Sequence, residues 1–137
     1  MAFWLIKSEP GAWSWEMHAE AGVAEWDGVR NYQAANNMKA MKVGDRAFFY
    51  HSVKEKRVVG IVEVVKEAYP DPSDLSNRFP MVDFKAVAPL VNPVSLAQIK
   101  ADERLHGMAL IRQSRLSVMP VSDAEWALVC ALGGVEP

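Results

Sequence analysis

Two apolar runs, Arg46-Ala47-Phe48-Phe49-Tyr50-His51-Ser52 and Arg57-Val58-Val59-Gly60-Ile61-Val62-Glu63-Val64-Val65, stand four residues apart near the middle of the chain. Both are rich in the β-branched and aromatic residues that suit a pleated, half-buried surface, and Val53 to Lys56 is a connection of ordinary hairpin length. They predict an antiparallel hairpin. Gly60, in mid-strand, predicts a bulge or a place where another group approaches the backbone. An isolated hairpin is marginal in water, so the remaining elements have to extend and cover it.

Those elements are short. Ala2 to Ser8 reads as a buried strand stopped by Glu9-Pro10-Gly11, Met81 to Ala88 as another, and Leu110-Ile111 and Leu116 to Val121 as two small ones. Ser14 caps a helix over Trp15 to Ala21 with Gly22 as its exit, and Trp13 and Trp15 are expected to staple that turn to the core. Asn31 caps a second helix over 32–41, with Tyr32, Ala35, Met38 and Met41 near one face. Ser95 begins a third to about Ala101, and the capping box Ser122-Asp123-Ala124-Glu125 begins a last one through Leu132, closed by Gly133-Gly134. Pro70 to Ser76 and Asp102 to Gly107 are expected to be irregular. Six short strands joined mainly by hairpins predict an α+β fold, a mixed, mostly antiparallel sheet curled into a small barrel; too few crossovers are long enough for a doubly wound parallel sheet.

A chain of 137 residues suits one domain over 1–137 with a self-sufficient core, and half hydrophobic with 23% charged is the composition of a globular protein. No apolar run approaches the roughly 20 residues that span a bilayer, and Met1 to Ile6 is too short for a signal peptide, so a cytoplasmic protein without a membrane partner is expected. The one cysteine, Cys130, lies in an apolar helical stretch and reads as a buried small hydrophobe. A net charge of -2 argues against binding nucleic acid mainly by neutralising phosphates. Charge is nevertheless uneven: residues 30–57 carry seven Lys or Arg against two acids, and this basic window begins inside the most unusual loop of the chain. A solvated helix face with helix-end lysines explains most such windows.

That loop is Trp26-Asp27-Gly28-Val29-Arg30-Asn31-Tyr32-Gln33. A turn needs Gly, Asp or Asn; it does not need Trp and Tyr, whose apolar surface must be buried or offered to something. Burial beside the loop is the ordinary reading, and a ligand wall is the functional one. Catalytic patterns are sparse. His18, His51 and His106 are isolated, nothing resembles a metal site, and no glycine pattern suits phosphates or dinucleotides, so neither metal nor cofactor is expected. A Ser-His-Asp set assembled from Ser8 or Ser52, His51 and Asp27 uses residue types too common to carry weight.

Seven segments, in order, carry a resemblance: Trp4 to Pro10, Trp26 to Ala34, Met41 to Asp45, Phe49 to Ser52, Val59 to Val64, Ala68 to Asp71 and Arg115 to Val118. The chain resembles the EVE-domain family of the PUA-like superfamily. The resemblance implies a PUA-like pseudobarrel and, through similarity to the YTH readers of methylated adenine, a pocket for a methylated or hydroxymethylated base in DNA or RNA, without catalysis. The candidate ligand set is Lys7, Ser8, Trp26, Val29, Arg30, Asn31, Tyr32, His51, Ser52 and Phe79. Trp26 is the expected stacking wall, dispensable to the fold. Ser8, Ser52, Asn31 and His51 would address the base edge, and Lys7 and Arg30 the flanking phosphates. Where the family often has Trp followed by aliphatics, this chain has Arg78-Phe79-Pro80-Met81-Val82, with Phe79 as a second cage wall. The runner-up is a small hydrolase of modified nucleosides or bases, as the ASCH relatives imply, with Lys7 or Ser8 as nucleophile or activator and Glu63 as acid or base.

Overall fold

The computed structural model describes residues Met1 to Pro137. Six strands, β1 (Phe3–Ser8), β2 (Val23–Glu25), β3 (Arg46–His51), β4 (Arg57–Pro70), β5 (Pro80–Ser95) and β6 (Val118–Val121), form one sheet in the order β2-β5-β4-β3-β1-β6. All neighbours are antiparallel except β1 and β3, which run parallel with Phe3 opposite Arg46 and Ser8 opposite His51. A parallel pair requires a crossover, and here it contains α1 (Trp15–Ala21), β2 and α2 (Tyr32–Ala40). The sheet curls without closing, so β2 and β6 remain as edges.

The central hairpin is β3 and β4, and every residue of β3 after Arg46 is buried, because both faces of the sheet are covered. Neighbouring strand residues point to opposite faces. Phe48 stacks on Trp126 of α5 (Asp123–Gly133) with ring centroids 3.9 Å apart, and Phe49 meets Trp15, His18 and Trp26 on the other side. Gly60 is both things its position suggested. The register shifts beside it, and a Cβ built there would come within 2.4 Å of the Trp15 ring.

The helix starts follow from their caps: Ser14, Asn31, Ser95, which opens α3 (Leu96–Ala101), and Ser122 each accept from an early helix amide. Cys130 is buried, and burial pushes its thiol up to about 11. Three expectations are corrected. Leu110-Ile111 belongs to a one-turn helix, α4 (Ala109–Arg112), rather than a strand, whereas the three-residue β2 joins the far edge of the sheet. Met81 to Ala88 is only the first half of β5, which runs 16 residues beside a 14-residue β4. Tyr32 is 60% exposed rather than on the buried face of α2, which consists of Ala34, Ala35 and Met38.

Candidate nucleic-acid interface

The seam of the unclosed sheet is a cleft of about 850 Å³. One side is the end of β1 and the turn after it, with Lys7, Ser8, Glu9 and Trp13, joined by Ser117 just before β6. The other is β2 and the loop Trp26 to Asn31, so nearly the whole lining comes from the β1–β3 crossover.

The loop is held at both ends. The Trp26 amide donates to the Val82 carbonyl at 2.8 Å, and the Asn31 side chain caps α2 through the Ala34 amide at 2.9 Å. Between them Gly28 turns with φ of 78°, and its amide donates to Asp71 at 2.8 Å. Asp71 is buried and also accepts from the Ser73 amide, the Ser73 hydroxyl and the Arg30 guanidinium. Burial alone would push its carboxyl up, but these hydrogen bonds outweigh burial and hold it below the usual carboxylate range. Arg30 donates onward to the Ser73 hydroxyl at 2.9 Å, tying the cleft loop to the β4–β5 connection.

Two tryptophans are among the lining residues. Trp26 is 8% exposed and packs edge-on against Phe49 and Phe84, so it is part of the core as well as of the wall. Trp13 is partly buried, and its indole N–H donates to Nδ1 of His18 at 3.0 Å. Nε2 of the buried His18 lies 2.8 Å from the Phe84 carbonyl and therefore carries the ring proton. Burial lowers the His18 pKa, which suits the neutral ring that this arrangement needs, against a smaller upward effect of the Phe84 bond. The Ser8 hydroxyl donates to the Trp13 carbonyl, and Lys7 donates through Nζ to the Ser114 carbonyl at 2.8 Å, with burial lowering its pKa. Glu9, Glu25 and Asp27 add three carboxylates to the lining.

Of the residues singled out in the sequence, Lys7, Ser8, Trp26, Val29, Arg30 and Asn31 line this cleft and four do not. His51 is buried, accepts the Trp15 amide on Nε2 and pairs through Nδ1 with Glu55, so it serves a strand end. Ser52 lies beyond that end, its amide bonded to the Ser8 carbonyl. Tyr32 and Phe79 sit outside the cleft, against each other at 5.0 Å. Phe79 lines a separate hollow with Lys39, Tyr69 and Arg78, and Pro80 opens β5, where a strand tolerates the missing amide. Glu63 pairs with Arg46 at 3.4 Å; in register this is four residues along β1 from Lys7, about 13 Å, so the two do not converge. Trp13, Glu9, Glu25, Ser117 and Asp71 were not singled out as site residues. Glu9, Asp71 and Ser117 did carry a signal, each lying inside a family-like segment, whereas Trp13 and Glu25 lie outside those segments.

A six-stranded mixed sheet, curled but unclosed and flanked by short helices, is the PUA-like architecture. Within that class a model described as the EVE domain matches residues 2–132, and the chain belongs to the EVE-domain family. It is 35% identical to human thymocyte nuclear protein 1, over 98% of this chain and 75% of that one. The structure of the human protein in complex with 5-methylcytosine-containing DNA superposes with a TM-score of 0.89 at 36% identity, covering 100% of both chains. A protein of Rhodopseudomonas palustris solved by NMR gives 0.93 at 54% identity, over 98% of this chain and 94% of that one. An ASCH protein of Zymomonas mobilis, at 14% identity and 0.57 over 96% and 95% of the chains, shares the fold alone.

Proposed function

We propose that this protein is a reader of modified DNA, which takes one extruded methylated or hydroxymethylated base into the cleft and performs no chemistry on it. The observation that carries the reading is the pairing of an indole wall with a pinned polar loop. Trp26 and Trp13, both in the lining, would supply the apolar surface on which a planar ring rests, while Ser8, Asn31 and backbone groups would supply directional partners for its edge. Stacking of this kind contributes roughly 1–3 kcal/mol per base. Asp71 holds the Gly28–Arg30 segment before any ligand arrives, which reduces the ordering cost of binding. The carboxylates of Glu9, Glu25 and Asp27 suit the exocyclic amino group that cytosine or adenine presents. The relation to a human protein crystallised with 5-methylcytosine-containing DNA supports DNA and a methylated pyrimidine as the first ligand to test.

The test is a binding screen at fixed salt with short single- and double-stranded oligonucleotides carrying 5-methylcytosine, 5-hydroxymethylcytosine or N6-methyladenine, beside plain DNA and RNA controls. One methyl group in a fitted apolar site is worth about 10- to 200-fold, so a preference within that range is expected for one modification. Equal affinity for modified and plain strands, undiminished in Trp26→Phe, would overturn the reading.

A further inference from the structure

The three carboxylates of the cleft and its two cations are unevenly placed for a phosphate backbone. Glu25 and Asp27 flank Trp26 on the β2 side and Glu9 follows β1, so a strand leaving the cleft past them meets like charge. The rim at Arg30 is different. Its guanidinium lies 5.6 Å from the Phe79 ring centroid, and Phe79 lies 5.0 Å from Tyr32, which is 60% exposed. Beyond this pair is a hollow of about 270 Å³ bordered by Lys39, Arg78 and Phe79. Neither Lys39 nor Arg78 is ion-paired. The nearby acids are already occupied: Asp71 is buried among its donors, and Asp74 accepts from Ser76 and from the Arg78 and Phe79 amides. The rim therefore offers exposed aromatic surface, unpaired cations and direct continuity with the cleft through Arg30.

We propose that Tyr32 and Phe79, with Arg30 and Arg78 beside them, form a second stacking platform that holds the nucleotide next to the extruded base on the same strand. The proposal rests on the reader function above and extends it from one base to two adjacent nucleotides. Tyr32 carries the flanking base on its open face, and Arg78 meets its phosphate. Asp71 holds the platform and the cleft in one piece, since Arg30 reaches both Asp71 and Ser73.

Two ligands separate the platform from the cleft: the modified nucleoside monophosphate found best in the screen, and a short oligonucleotide with the same base at its centre. Tyr32 is exposed, so Tyr32→Ala leaves the fold intact, which melting verifies. The expected result is a loss of about 5- to 150-fold in affinity for the oligonucleotide with affinity for the monophosphate unchanged. Arg78→Ala should flatten the salt dependence of oligonucleotide binding by about one unit of slope. An oligonucleotide affinity insensitive to Tyr32→Ala overturns the platform while leaving the reader function standing. Equal losses on both ligands also overturn it, since Tyr32 would then act on the cleft base itself. A wild type that binds neither ligand refutes the reader function and the platform with it.

Discussion

Asp45 and Asp71 are two buried aspartates in the same chemical situation with different consequences. Asp45 accepts from the Ala2 amide, the Lys42 amide and the indole N–H of Trp4, all at 3.0–3.1 Å. Asp71 accepts from Gly28, Ser73 and Arg30. In both, burial pushes the carboxyl up and the donors more than offset it, leaving the pKa below its ordinary value. The difference lies in what the donors belong to. Those of Asp45 are parts of the frame, the starts of β1 and of the turn into β3. Two of those on Asp71 belong to a loop that faces a cleft. One device thus secures the fold in one place and, in the reader function proposed above, the binding geometry in the other.

The broadest test of the contrast is Trp26→Ala, which should cost about 3–5 kcal/mol of stability because this wall residue is also core, and should remove modified-base binding. Trp26→Phe, read by denaturant unfolding and binding together, separates the two losses. Asp45→Ala comes next. It strands three donors and is expected to cost about 3 kcal/mol in urea unfolding, with the affinity of the folded protein unchanged; a matching loss of affinity would break the contrast. Asp71→Asn should do the reverse, costing about 1–2 kcal/mol of stability and about 10- to 100-fold in affinity as the loop loses its setting.

Smallest is the pH effect. The depressed His18 pKa means that the unfolded chain binds the proton more readily, so its contribution is complete above about pH 6.5 and declines as pH falls toward the lowered folded value. Asp45 and Asp71 add a second decline that begins near pH 4, as pH falls through their own lowered values. Melting temperature against pH should show both steps, and His18→Gln should erase only the upper one.

Much of the local structure was legible. Ser14, Asn31, Ser95 and Ser122 announce helix starts because a capping hydroxyl or amide acts within three residues. Gly60 announces its contact because only a missing side chain leaves room for an indole, although nothing local says that the indole is Trp15. Reading failed where local signals are short or distant partners decide. Val23–Glu25 is too brief to show alternation, and it becomes a strand because β5 offers it an edge. Leu110-Ile111 has strand-like composition, yet it lies in a single helical turn that buries Leu110, just after the buried Met108. The far half of β4 carries Lys66, Glu67 and Pro70 and is kept extended by pairing with the first half of β5, while the far half of β5 carries Pro89 and Pro93 and is kept extended by the first half of β4.

The same division holds for the candidate site. Trp26 stood out because a large aromatic on a polar loop is anomalous on its own terms, and Lys7, Ser8, Val29, Arg30 and Asn31 lie beside it in the cleft. Tyr32, His51, Ser52 and Phe79 belong to the same sequence segments or their neighbours, but side-chain direction sends them elsewhere. The sequence by itself determined the caps, the central hairpin, the resemblance to the EVE-domain family and the loop around which a cleft is built. Only the tertiary structure decided that the seam of the curled, unclosed sheet opens beside that loop, that Trp13 and Ser117 join it, and that Asp71, 43 residues from Gly28, holds it. The reason is physical: caps and turns act over a few residues, whereas the curl of a sheet sums twist and packing over all six strands, and no short stretch of chain contains that sum.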